Sequence, residues 1–532
     1  MAYVPLALSL LAGLLSPAHG SNDISRGEVC KNAPFVPGHN LMGEGYDIVT
    51  LKRKGAYLVD INTYMTPNGK CKLIKNPLHG NQLQKLPLAA VDFRAITQCQ
   101  SSIKQTMESS VSKVVSAMTH QDSSDWKVGL KQKDYGDLEV GGTRSDAYNF
   151  VSTRAKEDKF TFSIHRSSCR HYRYRVSSTP PLSSEFRKDV SLLPSSYNSF
   201  TKAQYRRLIS TYGTHYIRQA YLGGRFRRVT AVRTCLSSLN GFSSSKAHSC
   251  LSLGINLSLG KYNASGTGNY KSCQNLLQNK DVATSSSTGL HLHHTEVVGG
   301  TGWDGKFSLP VDNSQKYKTW LQSLKDHPDI VQYSLRLMSD LVPDLKKRPH
   351  VNAAIVDYLK ENGISKKDEK PCGVNCCPKR AWSGGKLKRL KRAWSGGKLK
   401  RLKRAWSGLL TVTIVRAWGL KGDAIGKTES YVKMWYGPHF RQTRVIKSNN
   451  PRWNERYNLG RVDTHADMKI ELWDKDRRRD DLLISCMRYP TQGTHRIVCN
   501  SRKGWVEVRY RLTCDQHLTG SRCNKYKPTP HK

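Results

Sequence analysis

The chain has 532 residues, with 86 Lys and Arg against 41 Asp and Glu, for a formal net charge of +45. That length accommodates two or three domains with cores of their own, and that charge implies either attraction to an anionic partner (nucleic acid, anionic lipid or polysaccharide) or strong self-repulsion. Beyond the first twenty residues no stretch approaches the ~18 consecutive apolar residues of a membrane helix, so a ready-made helical span is excluded and entry into a bilayer requires refolding.

Residues 1–20 read as a secretory signal: an apolar run from Leu6 to Leu15, then Ala18-His19-Gly20 as a small-residue cleavage site, although no Lys or Arg precedes the run. The mature chain is expected to begin near Ser21. Fourteen cysteines in an exported chain most economically form seven disulfides, and spacing alone does not fix their pairing. Between Ser101 and Phe160 an apolar alternation surfaces weakly at Trp126, Val128 and Leu130 and again at Leu138 and Val140. Tyr205, Leu208, Ile209 and Tyr212 then recur at helical spacing, and the turn Gly213-Thr214-His215 ends that helix. A strand follows, broken by Gly223-Gly224, where paired glycines let a sheet bend. His215 in this turn is expected to be a packed, hydrogen-bonded residue and not a catalyst.

Leu251, Leu253, Ile255, Leu257 and Leu259 alternate without a miss with small or polar residues, which predicts a strand with one apolar face. Its length is about that of a tilted strand crossing the hydrocarbon core, although an ordinary half-buried strand gives the same pattern. Two glycosylation sequons, at Asn256 and Asn263, fall in this region, and a bulky glycan could not easily follow a strand across lipid. His291-Leu292-His293-His294 matches no standard zinc spacing.

After a Lys-rich hinge come Cys372, Cys376 and Cys377, and then a block in which Arg380–Lys391 repeats word for word from Arg392 and begins again at Arg404. From Lys379 to Arg404 there are twelve basic residues and no acid. Interleaved Trp and Leu suit an interfacial lipid-binding segment, whereas the recurring Ser-Gly-Gly suits a solvated linker expanded by duplication. A β pattern resumes at Leu409, with strands at 409–415, 430–436 and 469–473. Asp423 and Glu429 flank one of its loops, and Asp474, Asp476, Asp480 and Asp481 crowd another. Such carboxylates repel one another unless a hard cation sits between them, which points to calcium, with a solvated acidic turn as the alternative. No HExxH, GxSxG or phosphate loop indicates an enzyme, and no nucleic-acid-binding fold accompanies the charge.

Tyr212-Gly213-Thr214-His215-Tyr216, followed six residues later by Gly223-Gly224, resembles the signature of the membrane attack complex/perforin family. So do Asp125-Trp126-Lys127-Val128-Gly129-Leu130, Val232-Arg233-Thr234-Cys235 and Glu296-Val297-Val298-Gly299-Gly300. Asn450-Pro451-Arg452-Trp453-Asn454 and the Trp473-Asp474-x-Asp476 loop resemble a C2 lipid-binding domain. The resemblance implies a multidomain α+β chain. Its parts would be a membrane attack complex/perforin domain at 21–361 (a bent central antiparallel sheet flanked by helical clusters), a cysteine-rich remnant like an epidermal growth factor module at 362–378, a basic linker at 379–408, an all-β C2 sandwich at 409–514 and a tail at 515–532.

The same resemblance pairs Cys30 with Cys71, Cys99 with Cys169, Cys250 with Cys273, Cys486 with Cys499 and Cys514 with Cys523, leaving Cys235, Cys372, Cys376 and Cys377 for two further bridges. It places the 251–259 segment in a second membrane-insertion cluster and Trp126, Val128 and Leu130 in a first. It assigns calcium to Asp423, Glu429 (where the family has Asp), Asp474, Asp476 and one or both of Asp480 and Asp481. Ala424 and Ile425 replace bulky aromatics, and Arg477-Arg478-Arg479 lies beside the acids, which favours docking on anionic lipid and weakens the metal. At the paired assembly positions of the family both residues here are basic, Arg207 and Arg336, so subunits would repel there and need another contact or a partner chain. The implied activity is that of a secreted, calcium-dependent pore-forming cytolysin of immune defence. It would dock on a bilayer, homo-oligomerise and insert β-hairpins. The alternatives are a non-lytic cationic membrane binder and an antimicrobial binder led by the repeats.

Overall fold

The computed structural model describes residues 22–261, 267–284, 287–309, 311–366, 377, 406–422 and 426–529. The expected signal sequence, Asn263, Cys372, Cys376, the basic repeats and Asp423, Ala424 and Ile425 lie outside these residues.

The elements that position the site are, in chain order, β1 (Glu44–Asp47), β2 (Ala90–Cys99), β3 (Lys104–Glu108), α1 (Val111–Asp122), α2 (Asp146–Glu157) and β4 (Phe160–Val176). There follow α3 (Lys202–Tyr212), β5 (His215–Arg233), α4 (Ser244–Ser258), α5 (Thr267–Leu277), β6 (His291–Val298), α6 (Ser314–Ser323), β7 (Asp329–Leu337) and α7 (Arg348–Glu361). The long strands β4 and β5 pair antiparallel from Gln219↔Arg175 to Arg233↔Phe160. At the signature end they are flanked by β2 and β7, giving the order β2-β4-β5-β7. At the far end β3 and β6 take over, giving β3-β4-β5-β6.

The handover coincides with a register shift between Leu222 and Gly223. There the backbones crowd so closely that a Cβ at Gly223 would lie 2.1 Å from the Cys169 carbonyl oxygen, and one at Gly299 would lie 2.1 Å from that of Gly223. Only glycine permits this approach, so the paired glycines act where the sheet changes partners.

Side chains alternate across a sheet, so β5 presents two faces. Val229 and Ala231 join Phe160, Phe162 and Ile164 against Val114 and Met118 of α1 and Ala147 and Val151 of α2. Phe226 and Val232 pack on the opposite face against Leu251 and Ile255 of α4, Leu276 of α5 and Trp320 of α6. Serine caps start three of these helices: Ser110, Ser145 and Ser243 each accept a bond from the backbone N–H three residues on, satisfying a donor the helix leaves free.

Two stretches with a strand-like alternation fold otherwise here. Residues 251–259 belong mostly to α4 and are not a strand: Leu251, Ile255 and Leu259, spaced by four, are buried, while Leu253 and Leu257 are half-buried. The period-two pattern contains that four-residue spacing, and packing on the sheet selects it. Trp126, Val128 and Leu130 lie on successive turns closed by Val128 N donating to Asp125 O and Leu130 N to Lys127 O. Trp126 is buried in the core at the signature end and not in the layer under α1 and α2. The large domain also runs past residue 361, because Ile364–Ser365 pairs with Leu138–Glu139.

The C-terminal region is a sandwich of two antiparallel sheets. One has the order β10 (Arg452–Asp463), β8 (Ser407–Trp418), β14 (Gly504–Cys514), β13 (Gly493–Ser501). The other contains β9 (Glu429–Tyr436), β11 (Met468–Asp474) and β12 (Asp481–Arg488). Alternating residues such as Leu410, Val412, Ile414, Ile470 and Leu472 form its core. The tail returns to the large domain, where the Tyr526 hydroxyl donates to Asp158 at 2.7 Å.

Candidate functional site

At the signature turn, Gly213 ends α3 with φ of 77°, and a Cβ there would lie 2.5 Å from the Tyr46 carbonyl of β1. His215 is fully buried; its Nδ1 accepts from the Thr214 hydroxyl at 2.7 Å and its Nε2 donates to the Trp126 carbonyl at 2.8 Å. Burial pushes its pKa down to about 4, so the ring is a neutral brace between β5 and the Asp125–Leu130 segment. Asp125 in that segment accepts from Arg336 at 2.7 Å, from the Ser334 hydroxyl and from Leu335 N. Arg336 is therefore neutralised within its own chain, whereas Arg207 on α3 is exposed.

The chain order explains the arrangement at the far end of the sheet. Residues 109–159, with α1 and α2, connect the neighbours β3 and β4; residues 234–290, with α4 and α5, connect the neighbours β5 and β6. Both clusters are thus the connections of antiparallel hairpins, stored as helices on opposite faces. Each is held by polar contacts as well as apolar ones. Asp122, the last residue of α1, accepts from Arg225 at 2.5 Å and Arg227 at 2.9 Å, and both arginines also grip Glu296 of β6. Burial alone would raise the Glu296 carboxyl, but Arg227 and Arg225 outweigh it and hold it at about 2. On the other face His165 Nε2 meets Ser252 Oγ of α4 at 2.8 Å, and His248 Nδ1 meets Ser163 Oγ at 2.9 Å. Asn256 also lies on α4, its Nδ2 donating to the Ser252 carbonyl, and Ser258 of the same sequon is buried.

Disulfides join Cys30–Cys71, Cys99–Cys169, Cys250–Cys273, Cys486–Cys499 and Cys514–Cys523, and a sixth joins Cys235 to Cys377. Cys250–Cys273 ties α4 to α5 inside the second cluster. The His/Cys/acid group among the described residues with mutually close ligand atoms is Cys99, Cys169 and His171, and two of its three ligand atoms are spent on a disulfide.

In the C-terminal sandwich Asp474 is buried, accepts from Glu429 N at 2.9 Å, and lies against Gly422, where a Cβ would fall 2.0 Å from Oδ2. Asp480 accepts from Asp476 N at 3.3 Å and from the Tyr431 hydroxyl, and Asp481 is the register partner of Asp474. Glu429 is turned to Lys447 at 2.8 Å. An all-carboxylate donor set on adjacent loops fits a hard cation such as calcium. Among the described residues, however, no three carboxylates bring their oxygens within 4.8 Å of one another.

Sequence reasoning found the turn, the glycine bend and the acidic loops. It missed Asp122, Arg225, Arg227, His165 and His248; the one available signal was Ser243, an N-cap before a helix-compatible run.

A bent sheet with a helical cluster in each of two hairpin connections, joined to a C2-type sandwich, defines the class of membrane-attack proteins with a membrane-binding module. A family profile described as MAC/Perforin domain matches residues 35–368, and one described as C2 domain matches 408–504. The chain belongs to the membrane attack complex/perforin family. It is 33% identical to Perforin-1 of Homo sapiens over 95% of this chain and 92% of that protein, and 31% identical to Perforin-1 of Rattus norvegicus over 95% and 93%. Complement component C7 of Pongo abelii is 30% identical over 34% of this chain and 21% of its own length.

Proposed function

We propose that this protein is a secreted pore former that docks through its C2 domain, assembles laterally on the bilayer and converts both helical clusters into β-hairpins that close a barrel. The observation that carries this reading is the placement of both clusters in connections between already paired strands. Unwinding them would lengthen β3/β4 and β5/β6 in their existing registers and at the same end of the sheet. Closure is required, since open strand edges cannot be left in lipid.

Side-chain parity supports the same reading. On β5 the odd-numbered Val229 and Ala231 point to one face, with Arg228 and Thr230 on the other. Leu251, Leu253, Ile255, Leu257 and Leu259 are odd as well. A strand continuing β5 without a bulge would keep them on one lipid-facing side and set Ser252, Asn256 and Ser258 toward water. The Asp125–Arg336 ion pair removes the free charge that would repel Arg207 of a neighbouring copy, which favours self-assembly.

In the C2 domain Asp474, Asp476, Asp480 and Asp481 would hold calcium together with Asp423, and Glu429 would join them on leaving Lys447. The bound ion would offset carboxylate repulsion and make the loop tips attractive to anionic headgroups. Arg477, Arg478 and Arg479 add attraction that needs no metal.

The second reading, a non-lytic cationic membrane binder, is favoured by the Asn256 sequon within α4. Dye release from anionic liposomes, with calcium and with chelator, tests both. Calcium-dependent leakage supports the pore, whereas liposome binding without leakage overturns an autonomous pore.

A further inference from the structure

Beneath the C-terminal end of α1 the sheet leaves a cavity of about 170 Å³, lined on its charged side by Lys104, His120, Arg166, Arg170 and Arg225, with no carboxylate in its wall. Arg225 is 6% exposed; its terminal nitrogens are engaged by Asp122, Glu296 and the Val331 carbonyl, but its Nε is buried without a partner. Gln100 Oε1 and Gln121 Oε1, from two other lining residues, are likewise buried and unpartnered. Arg166 stands opposite Lys104 in the β3/β4 register, and its guanidinium makes no hydrogen bond or ion pair among the described residues. Burial, then Arg227, Arg225 and Arg170, push its guanidinium down, and the opposing pull of Asp122 is too weak to reverse this. Arg170 donates to Gln332 and covers the Tyr221 ring, both neutral. Five cations, counting Arg227, therefore share the two carboxylates Asp122 and Glu296.

An unpartnered buried arginine nitrogen, with further cations beside it in a small cavity, needs an acceptor with several oxygens and negative charge. We propose that this cavity binds a tetrahedral oxyanion, a phosphate group carried either as the free ion or as the monoester of a small soluble molecule. Arg225 Nε supplies the buried donor, Arg166 a half-buried one and Lys104 the outer one, while Gln121 Oε1 accepts from a protonated phosphate oxygen. The volume admits one such group with a few waters and excludes a polymer. The bound anion bridges β3, β4, β5 and the end of α1. It therefore holds the first cluster on the sheet, and its loss is a precondition for conversion.

The test titrates inorganic phosphate into the full-length protein in chelator-containing buffer at constant ionic strength, read by calorimetry and by the thermal unfolding midpoint. Saturable one-to-one binding and a rise in the midpoint are expected. Arg166→Gln is expected to lose affinity at least tenfold, and the exposed Lys104→Gln several-fold, with both variants retaining the wild-type midpoint in chloride. Competition by glycerol 3-phosphate identifies a monoester, and its absence identifies the free ion. Equal midpoint shifts in phosphate and chloride, no saturable heat, or wild-type affinity in both variants overturns the proposal. None of these readouts depends on pore activity.

Discussion

Asp122→Asn removes the charge that fastens the end of α1 to the sheet while keeping the side chain's size. The carboxylate is 3% exposed and bonded to Arg225 and Arg227, which are themselves 7% and 3% exposed. Deleting one partner of a buried ion pair costs about 3–5 kcal/mol, and the surviving Glu296 recovers part of it, leaving roughly 2–4 kcal/mol. For a cooperative unit of this size, at roughly 2.1 cal/mol/K of unfolding entropy per residue, that corresponds to a fall of roughly 3–6 °C in the midpoint of the large domain. Asp146→Asn on α2 is the control, since its partner Lys52 and it are both more than half exposed and water already screens their pair. Calorimetry reads the midpoint, and the lag before liposome leakage reads the release of α1. A midpoint for Asp122→Asn no lower than that of Asp146→Asn would refute the idea that this network secures the cluster. A lowered midpoint with an unchanged lag would show that α1 leaves after the slow step.

Gly223→Ala forces a Cβ to within 2.1 Å of the Cys169 carbonyl, so the variant is expected to fail secretion or to be cleaved rapidly in limited proteolysis. Wild-type yield would mean that the bend relaxes at no cost. His215 is held neutral with its pKa lowered to about 4 from 6.5, so its contribution is present above pH 6.5 and is lost as pH falls toward 4, by about 1.4 kcal/mol per unit. The midpoint should therefore drop between pH 7 and pH 5, and His215→Gln should flatten that slope. Glu296, held at about 2, keeps its contribution above pH 4.5 and loses it only as pH falls toward 2, so Glu296 should stay ionised between pH 5 and 8. Asp474→Ala should abolish the calcium-dependent part of liposome binding measured by co-sedimentation and leave the salt-sensitive part. Equal calcium dependence in the variant would remove Asp474 from the ligand set.

The helix that ends at Tyr212, the glycines at the bend and the C2 strands were legible in the sequence because each is written locally. A turn needs its glycine, and a half-buried strand needs its alternation. The acidic loops were legible for the same reason, as carboxylates concentrated within eight residues of a basic chain. The run Leu251 to Leu259 was locally ambiguous, since its two-residue period contains the four-residue spacing of a helix. Ser243 as cap and the apolar face of β5 decide for α4, so the sequence records the strand pattern while the tertiary structure stores it as a helix. Other features had no local trace at all. Asp125 and Arg336 stand 211 positions apart, and Asp122 meets Arg225 across 103. Residue type and spacing determine where a chain can turn and which face it can bury, but charges so distant are paired only when the sheet brings their strands together.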